Sequence, residues 1–219
     1  MAGAHQSLLE ANQLAGRVGD SQSFMVDAFT EIVGAYGMES AYAARDYAVA
    51  DYAARGERVR PAQVDLSAPV FEQADRSGRW AVFGAGDAFE GAALHRMQGA
   101  LTRLVLQPYR ETVLNTTRDH GRRTGTAVAR VPEAGACAFC RMLASRGAAY
   151  GSARSAQSTK DGNRFHDNCR CSTQIARIDG EDLPGSVRAL QAEWSRFADE
   201  TDSLTLQSYE KWLKEGRAS

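Results

Sequence analysis

All four cysteines of the 219-residue chain lie in two short clusters, and a histidine accompanies the second cluster. The first cluster is CAFC, with Cys137 and Cys140, and the second is HDNCRC, with His166, Cys169 and Cys171. A C-x2-C pair at a tight turn presents two thiolates to one ion, and a second pair from a distant segment completes the tetrahedron that zinc prefers in structural sites. The pattern therefore predicts a structural Zn²⁺ site with these five residues as candidate ligands.

Five candidates for four coordination positions leave the ligand set open. If residues 169–173 are extended, Cys169 and Cys171 point to the same side, because side chains alternate along a strand. His166 is then a partner of the ligands rather than a ligand. If residues 166–169 form a turn instead, His166 binds the ion together with Cys169 or Cys171.

Other uses of the cysteines are weaker. A redox-active C-x2-C pair belongs in a thioredoxin-like frame of strands and helices, which does not surround Cys137 and Cys140. The N-terminal sequence MAGAHQSLLEANQLAGR lacks the basic and apolar regions of a signal peptide, so we expect a reducing cytoplasm, where disulfides are rare. No apolar run reaches the roughly 18 residues that cross a membrane, so no membrane partner is expected.

The net charge of −1 conceals an uneven distribution. Residues 103–177 contain 13 lysines and arginines against 5 acidic residues, whereas the rest of the chain contains 13 against 22. A basic centre between acidic flanks predicts an anionic partner, contacts between copies, or packing of basic against acidic faces within the chain. The candidate contact residues for nucleic acid or another partner are Arg122, Arg123, Arg130, Arg141, Arg164 and Arg170.

Three of these arginines also neighbour the cysteines in sequence. Arg141, Arg164 and Arg170 would offset the negative charge of several thiolates. They would also lower the pKa of the thiols and so favour metal binding.

The elements before the cysteines are predicted to be mostly helices. Apolar residues at spacings of three and four predict helices within residues 1–55, with a break and a new N-cap at Gly19-Asp20-Ser21. Two prolines and two glycines predict an irregular connector over residues 56–82, with a short strand near Trp80. A helix is predicted from Asp87 to about His120, which Pro108 should kink or split.

From Thr124 the pattern changes to short strands. TAVARV and CSTQIARI predict two strands, CRMLASRG predicts a short helix that ends at Gly147, and the polar residues 151–165 predict an exposed loop. The predicted fold class is α+β and predominantly helical, with helices around a small zinc-stapled module that has a few short strands. The predicted domains are a helical body over residues 1–122, a zinc-binding module over residues 123–180 and a helical tail over residues 181–219.

The segment VARVPEAGACAFCRMLASRGAAY, followed by FHDNCRC, closely resembles the C-terminal module of Mu F-like minor head proteins of tailed phages. The version found in phages of actinobacteria is most similar. The family motif pairs C-x2-C with a later H-x2-C-x-C, and all five positions are present here. The resemblance is tight over residues 128–173 and loose over most of the chain.

This resemblance implies a structural protein of the phage head that acts in head morphogenesis, DNA packaging or ejection. It implies synthesis in the host cytoplasm and a place in the virion, inside the capsid near the portal, in multiple copies per particle. The implied partners are the portal, the major capsid protein and, without sequence preference, the packaged DNA. No catalytic activity is implied, so the chain is not expected to be an enzyme.

Two alternatives use the same residues. A zinc-stapled nuclease of the HNH type would employ His166-Asp167-Asn168, but no second set of ligands is spaced for a catalytic cation. A nucleic-acid-binding zinc protein would explain the basic centre but not the acidic helical flanks. The sequence has no G-x-S-x-G, H-E-x-x-H or P-loop motif that would indicate another enzyme class.

Overall fold

The structure is a computed structural model that describes residues 1–63, 68–84, 89–150, 169 and 171–216. These parts of the chain contain seven α-helices, a π-helical turn at Phe89–Ala93 and two strands. The helices are α1 (Ala2–Ala15), α2 (Ser21–Ala54), α3 (Ala68–Phe83), α4 (Leu94–Thr124), α5 (Ala138–Ala144), α6 (Gly185–Glu200) and α7 (Leu206–Lys214), and the strands are β1 (Thr126–Val131) and β2 (Ser172–Arg177). The predicted fold class, predominantly helical with a small sheet, is confirmed.

Helices α1 to α4 pack around one apolar core. Residues from all four helices contribute to it, among them Leu8, Phe29, Ala74 and Leu101. The predicted break between α1 and α2 is confirmed, because Asp20 is the N-cap of α2 and its Oδ1 accepts a hydrogen bond from the Ser23 N–H at 3.0 Å. This cap satisfies one of the backbone donors that a helix start leaves without a partner.

The connector predicted over residues 56–82, with a strand near Trp80, is wrong where the structure has helix α3. Pro69 is the second residue of α3 and therefore lies in its first turn, where the missing backbone N–H would have no partner inside the helix. Val70, Ala74 and Ala81 are buried in the core shared with α2. Burial of this face outweighs the low helix propensity of Pro69 and Gly78.

Helix α4 runs through Pro108, so the proline does not split it. Pro108 has no N–H to donate to the carbonyl oxygen of Leu104. In the same turn, Ser40 Oγ of α2 donates to the carbonyl oxygen of Val105 at 2.6 Å. Because α4 stays continuous, its second half reaches the cysteine clusters.

Both predicted strands are confirmed and pair antiparallel, with Thr126 opposite Arg177 and Val131 opposite Ser172. Val128 of β1 and Ile175 of β2 pack against α2 and α4, in a cluster that includes Tyr52. The sheet therefore sits directly on the two longest helices of the body.

The C-terminal helices pack around the short helix α5. Helix α6 contacts α5 and β1, and α7 contacts α5. The apolar face between them contains Trp194, Phe197, Tyr209 and Trp212. The predicted C-terminal helices are thus confirmed, whereas the division into domains at residues 122 and 180 stays a prediction. Within the part of the chain that the structure describes, no helix has the length and apolar character of a membrane span.

Candidate metal centre

Three cysteine sulfur atoms come together in the interior. The sulfurs of Cys140, Cys169 and Cys171 lie within 4.8 Å of one another, and all three residues are buried. The Cys140 and Cys169 sulfurs are 3.8 Å apart. A disulfide would need about 2.05 Å, whereas two thiolates on a tetrahedral zinc ion, each at about 2.3 Å from it, are about 3.8 Å apart. The cluster can therefore hold a metal ion.

Each of these cysteines is positioned by a regular element. Cys140 lies in the first turn of α5, three residues after Cys137, which is the N-cap of that helix. Cys171 immediately precedes β2, and Cys169 lies two residues earlier. Both sulfurs reach the same cluster, which is the arrangement expected if this segment is extended. Because β2 pairs with β1, the sulfurs of Cys169 and Cys171 are held close to that of Cys140 on α5.

The remaining predicted ligands are placed differently. Cys137 is exposed and is not one of the three sulfurs that lie within 4.8 Å of one another. His166 lies outside the described residues. The choice of the fourth ligand among the five candidates therefore stays a prediction at this point.

Two fully buried arginines adjoin the sulfurs. Arg110 of α4 donates from Nε to the carbonyl oxygen of Cys171 and from Nη2 to that of Cys169, each at 2.9 Å. The Nη2 atoms of Arg110 and Arg130 each lie 3.8 Å from the Cys169 sulfur. Burying a cation is costly unless negative charge or acceptors surround it. Two guanidinium groups at this position therefore favour thiolates over neutral thiols.

Arg110 is not among the site residues predicted from the sequence, although its position on the apolar face of α4 indicated a buried role. It lies three and four residues before Val113 and Leu114, which are buried on the same side of α4. An arginine on the apolar face of a helix needs a buried acceptor or anion. The cysteine clusters were the obvious candidates for that partner.

The sulfur cluster perturbs the pKa of each thiol. Hydrogen bonds from the thiols of Cys140 and Cys171, together with the charge of Arg110, hold the pKa of Cys169 well below its usual value. The hydrogen bond to Cys169 raises the pKa of Cys140 to about 12. The hydrogen bonds to Cys140 and Cys169, followed by burial, raise the pKa of Cys171. A metal ion would take the place of the shared protons and keep all three as thiolates.

Burial also acts on Arg110 itself. It lowers the pKa of Arg110 to about 10, while the nearby cysteines oppose this change. Arg110 therefore still carries its proton, and its positive charge, at neutral pH.

The arginines predicted to contact a partner separate into three groups. Arg130 is fully buried, so its predicted role as a surface contact is not compatible with its position. Arg141 forms an ion pair with the buried Glu193. Arg122 and Arg123 are exposed at the end of α4, and Arg164 and Arg170 lie outside the described residues.

An exposed basic surface forms where residues 56–62 run beside the end of α4. Nη2 of Arg123 donates to the carbonyl oxygen of Arg58 at 3.3 Å, and Nε2 of His120 lies 2.9 Å from that of Arg60. Two acidic residues lie among the arginines, because Glu57 pairs with Arg123 and Asp119 with Arg118. We call this group the basic surface, and its arginines are Arg58, Arg60, Arg118, Arg122 and Arg123.

The chain matches the model of a known protein family along almost its whole length. No curated protein and no solved structure matches the chain. The model of a family described as VG15 protein matches residues 4–211, which span α1 to α6, both strands, both cysteine clusters and most of α7. VG15 is a viral family, found in phages. The chain therefore belongs to the VG15 family of phage proteins.

Proposed function

We propose that the chain is a minor structural protein of a tailed-phage head, inside the capsid near the portal, and that it acts in head assembly, DNA packaging or ejection. The observation that carries this proposal is the family match over residues 4–211, which assigns nearly the whole chain to a phage family. The resemblance of both cysteine clusters to the Mu F-like minor head module supports the finer role. The chain would then occur in multiple copies, with the portal and the major capsid protein as partners.

The metal in this proposal is Zn²⁺, and its role is structural. Thiolate ligands and a tetrahedral arrangement suit zinc, which imposes no other geometry of its own. Three buried sulfurs that link α5 to the start of β2 support a stabilising ion rather than a catalytic one. The proposed protein is accordingly not an enzyme.

The basic surface supports a contact with packaged DNA. Its exposed guanidinium groups can neutralise phosphates without reading the base sequence. The same surface favours a second candidate function, a zinc protein that binds nucleic acid outside the virion. The nuclease alternative depends on His166 and gains no support from the described residues.

Quantitative mass spectrometry of purified heads and procapsids from the source phage tests the proposal. We expect a few to tens of copies in the mature particle. Presence in procapsids alone would assign the chain to assembly, as a factor that leaves before maturation. Absence from both particles would overturn the head-protein proposal and leave the second candidate function.

A further inference from the structure

We infer that the metal centre is a four-thiolate site, in which Cys137 is the fourth ligand and the buried Arg110 and Arg130 are built-in counter-charges. This inference rests on the metal site proposed above. It decides between the two candidates for the fourth position, Cys137 and His166.

The charge of the surroundings favours the more negative ligand set. A divalent ion with three thiolates and a neutral imidazole has a net charge of −1, whereas the same ion with four thiolates has a net charge of −2. Nη2 atoms of Arg110 and Arg130 both lie 3.8 Å from the Cys169 sulfur. Attraction at such distances is strong in a buried site, so two adjacent cations stabilise the doubly negative centre more than the singly negative one.

The backbone places Cys137 within reach of an ion held by Cys140. Cys137 is the N-cap of α5, and Cys140 is the third residue of that helix. The side chain of an N-cap residue ordinarily reaches the backbone N–H of this third residue, so the two positions are close neighbours. The side chain of Cys137 does not cap the helix in this way.

The exposure of the four cysteines fits one ligand on the outer side of the ion. Cys140, Cys169 and Cys171 are buried, and Cys137 is exposed. Three sulfurs beneath the ion and one above it complete a tetrahedron without any further residue. The arginines lie on the buried side, next to Cys169.

The experiment is X-ray absorption spectroscopy on the full-length chain loaded with one equivalent of Zn²⁺. We expect four sulfur ligands at about 2.3 Å and no nitrogen ligand at about 2.0 Å. Three sulfurs and one nitrogen would overturn this inference but leave the metal site intact. A chain that binds no zinc would overturn the metal site and the inference together, so the two failures are distinguishable.

Variants test the same assignment through metal affinity, measured by competition with a chromogenic chelator. Cys137→Ala should weaken zinc binding by more than the about 10- to 100-fold that loss of a ligand's hydrogen-bond partner costs, and His166→Ala should not exceed that range. Arg130→Met should weaken binding about 10- to 100-fold, with the exposed Arg118→Met as its control. Equal losses in Cys137→Ala and His166→Ala would contradict the inference. If Cys137→Ala does not fold, the X-ray absorption spectrum of the unaltered chain still distinguishes four sulfur ligands from three sulfurs and one nitrogen.

Discussion

Nη2 of Arg110 lies 2.9 Å from the carbonyl oxygen of Cys169 and 3.8 Å from the sulfur of the same residue. This one side chain joins the middle of α4 to a cysteine that follows it by 59 residues in the sequence. The cysteine cluster is therefore tied to the long helix α4, and its stability depends on contacts made outside the cysteine motif.

Replacing Arg110 should destabilise the protein strongly. Arg110→Met leaves two buried carbonyl oxygens without their donors and removes a cation next to the thiolates, so we expect a loss of about 3–5 kcal/mol in the free energy of unfolding. Urea denaturation of the zinc-loaded protein measures it. Arg118→Met is the matched control, because the exposed Arg118–Asp119 pair should contribute less than about 1 kcal/mol. Equal effects of the two substitutions would contradict the buried role of Arg110.

Removing the metal should loosen one part of the chain more than the rest. The ion would link α5 to the start of β2, whereas the apolar core shared by α1 to α4 contains no residue from either strand. After chelation, we expect faster amide hydrogen exchange in β1, β2 and α5, and little change in α1 to α3. Added Zn²⁺ should restore protection. Uniform exchange across all helices after chelation would argue against a local structural role.

Glu193 should hold the C-terminal helices onto α5. It is only 5% exposed, it accepts a hydrogen bond from Arg141 Nε at 3.0 Å, and the Tyr209 hydroxyl also donates to it. Glu193→Gln weakens these charge-assisted bonds, so we expect a loss of about 1–3 kcal/mol in the free energy of unfolding.

Urea denaturation followed by tryptophan fluorescence suits the Glu193 test, because Trp194 and Trp212 lie in the neighbouring aromatic cluster. Glu210→Gln on the exposed side of α7 is the control and should change stability by less than about 0.5 kcal/mol. An equally small effect of Glu193→Gln would show that the hydrogen bonds of Glu193 do not hold α7 in place.

Asp182 should make the stability depend on pH in the acid range. Burial alone would raise the pKa of Asp182, but hydrogen bonds from the Arg177 backbone N–H, at 2.7 Å, and from the Arg55 side chain lower it below its usual value. A carboxyl whose pKa is lowered by folding stabilises the protein above its unfolded pKa of about 3.9 and loses this contribution as the pH falls through the folded value.

Near neutral pH, the free energy of unfolding of the unaltered protein should therefore be about 1 kcal/mol higher than that of the Asp182→Asn variant. The difference should shrink below about pH 4. Urea midpoints measured from pH 3 to pH 7 check this. A difference that stays constant over the whole range would show that the charge of Asp182 does not contribute.

The basic surface should bind duplex DNA with a steep dependence on salt. Arg58→Ala combined with Arg122→Ala removes two exposed cations, so the slope of log affinity against log salt should fall by about 2. Fluorescence anisotropy with a labelled duplex measures it. Arg76→Ala combined with Arg188→Ala removes two exposed arginines elsewhere and should leave the slope unchanged. Binding that is insensitive to salt would overturn the DNA contact.

Local sequence patterns were sufficient to predict the strands next to the cysteines and the start of α2. Alternation in TAVARV and CSTQIARI predicted β1 and β2, and Asp20 predicted the start of α2, because strand alternation and helix capping depend on neighbouring residues. The two cysteine clusters likewise indicated one shared site, since metal coordination requires ligands from separate segments to meet. Helix α3 was missed, because its propensity is poor and it is stabilised by packing against α2 and α4.

Which arginines are buried depends on contacts between distant segments, so it could not be predicted from local sequence patterns. Arg130 was predicted on the surface, but both faces of β1 are covered: Val128 packs toward α2 and α4, and Ala129 packs with Val187 of α6. With no solvent on either face, alternation along the strand no longer separates buried from exposed residues. Arg110 and Arg130 are buried and Arg122 is exposed, although all three have the same side chain. A cation is buried only where acceptors or negative charge surround it. For Arg110 and Arg130 these are the carbonyl oxygens and the sulfur of cysteines from a distant part of the chain.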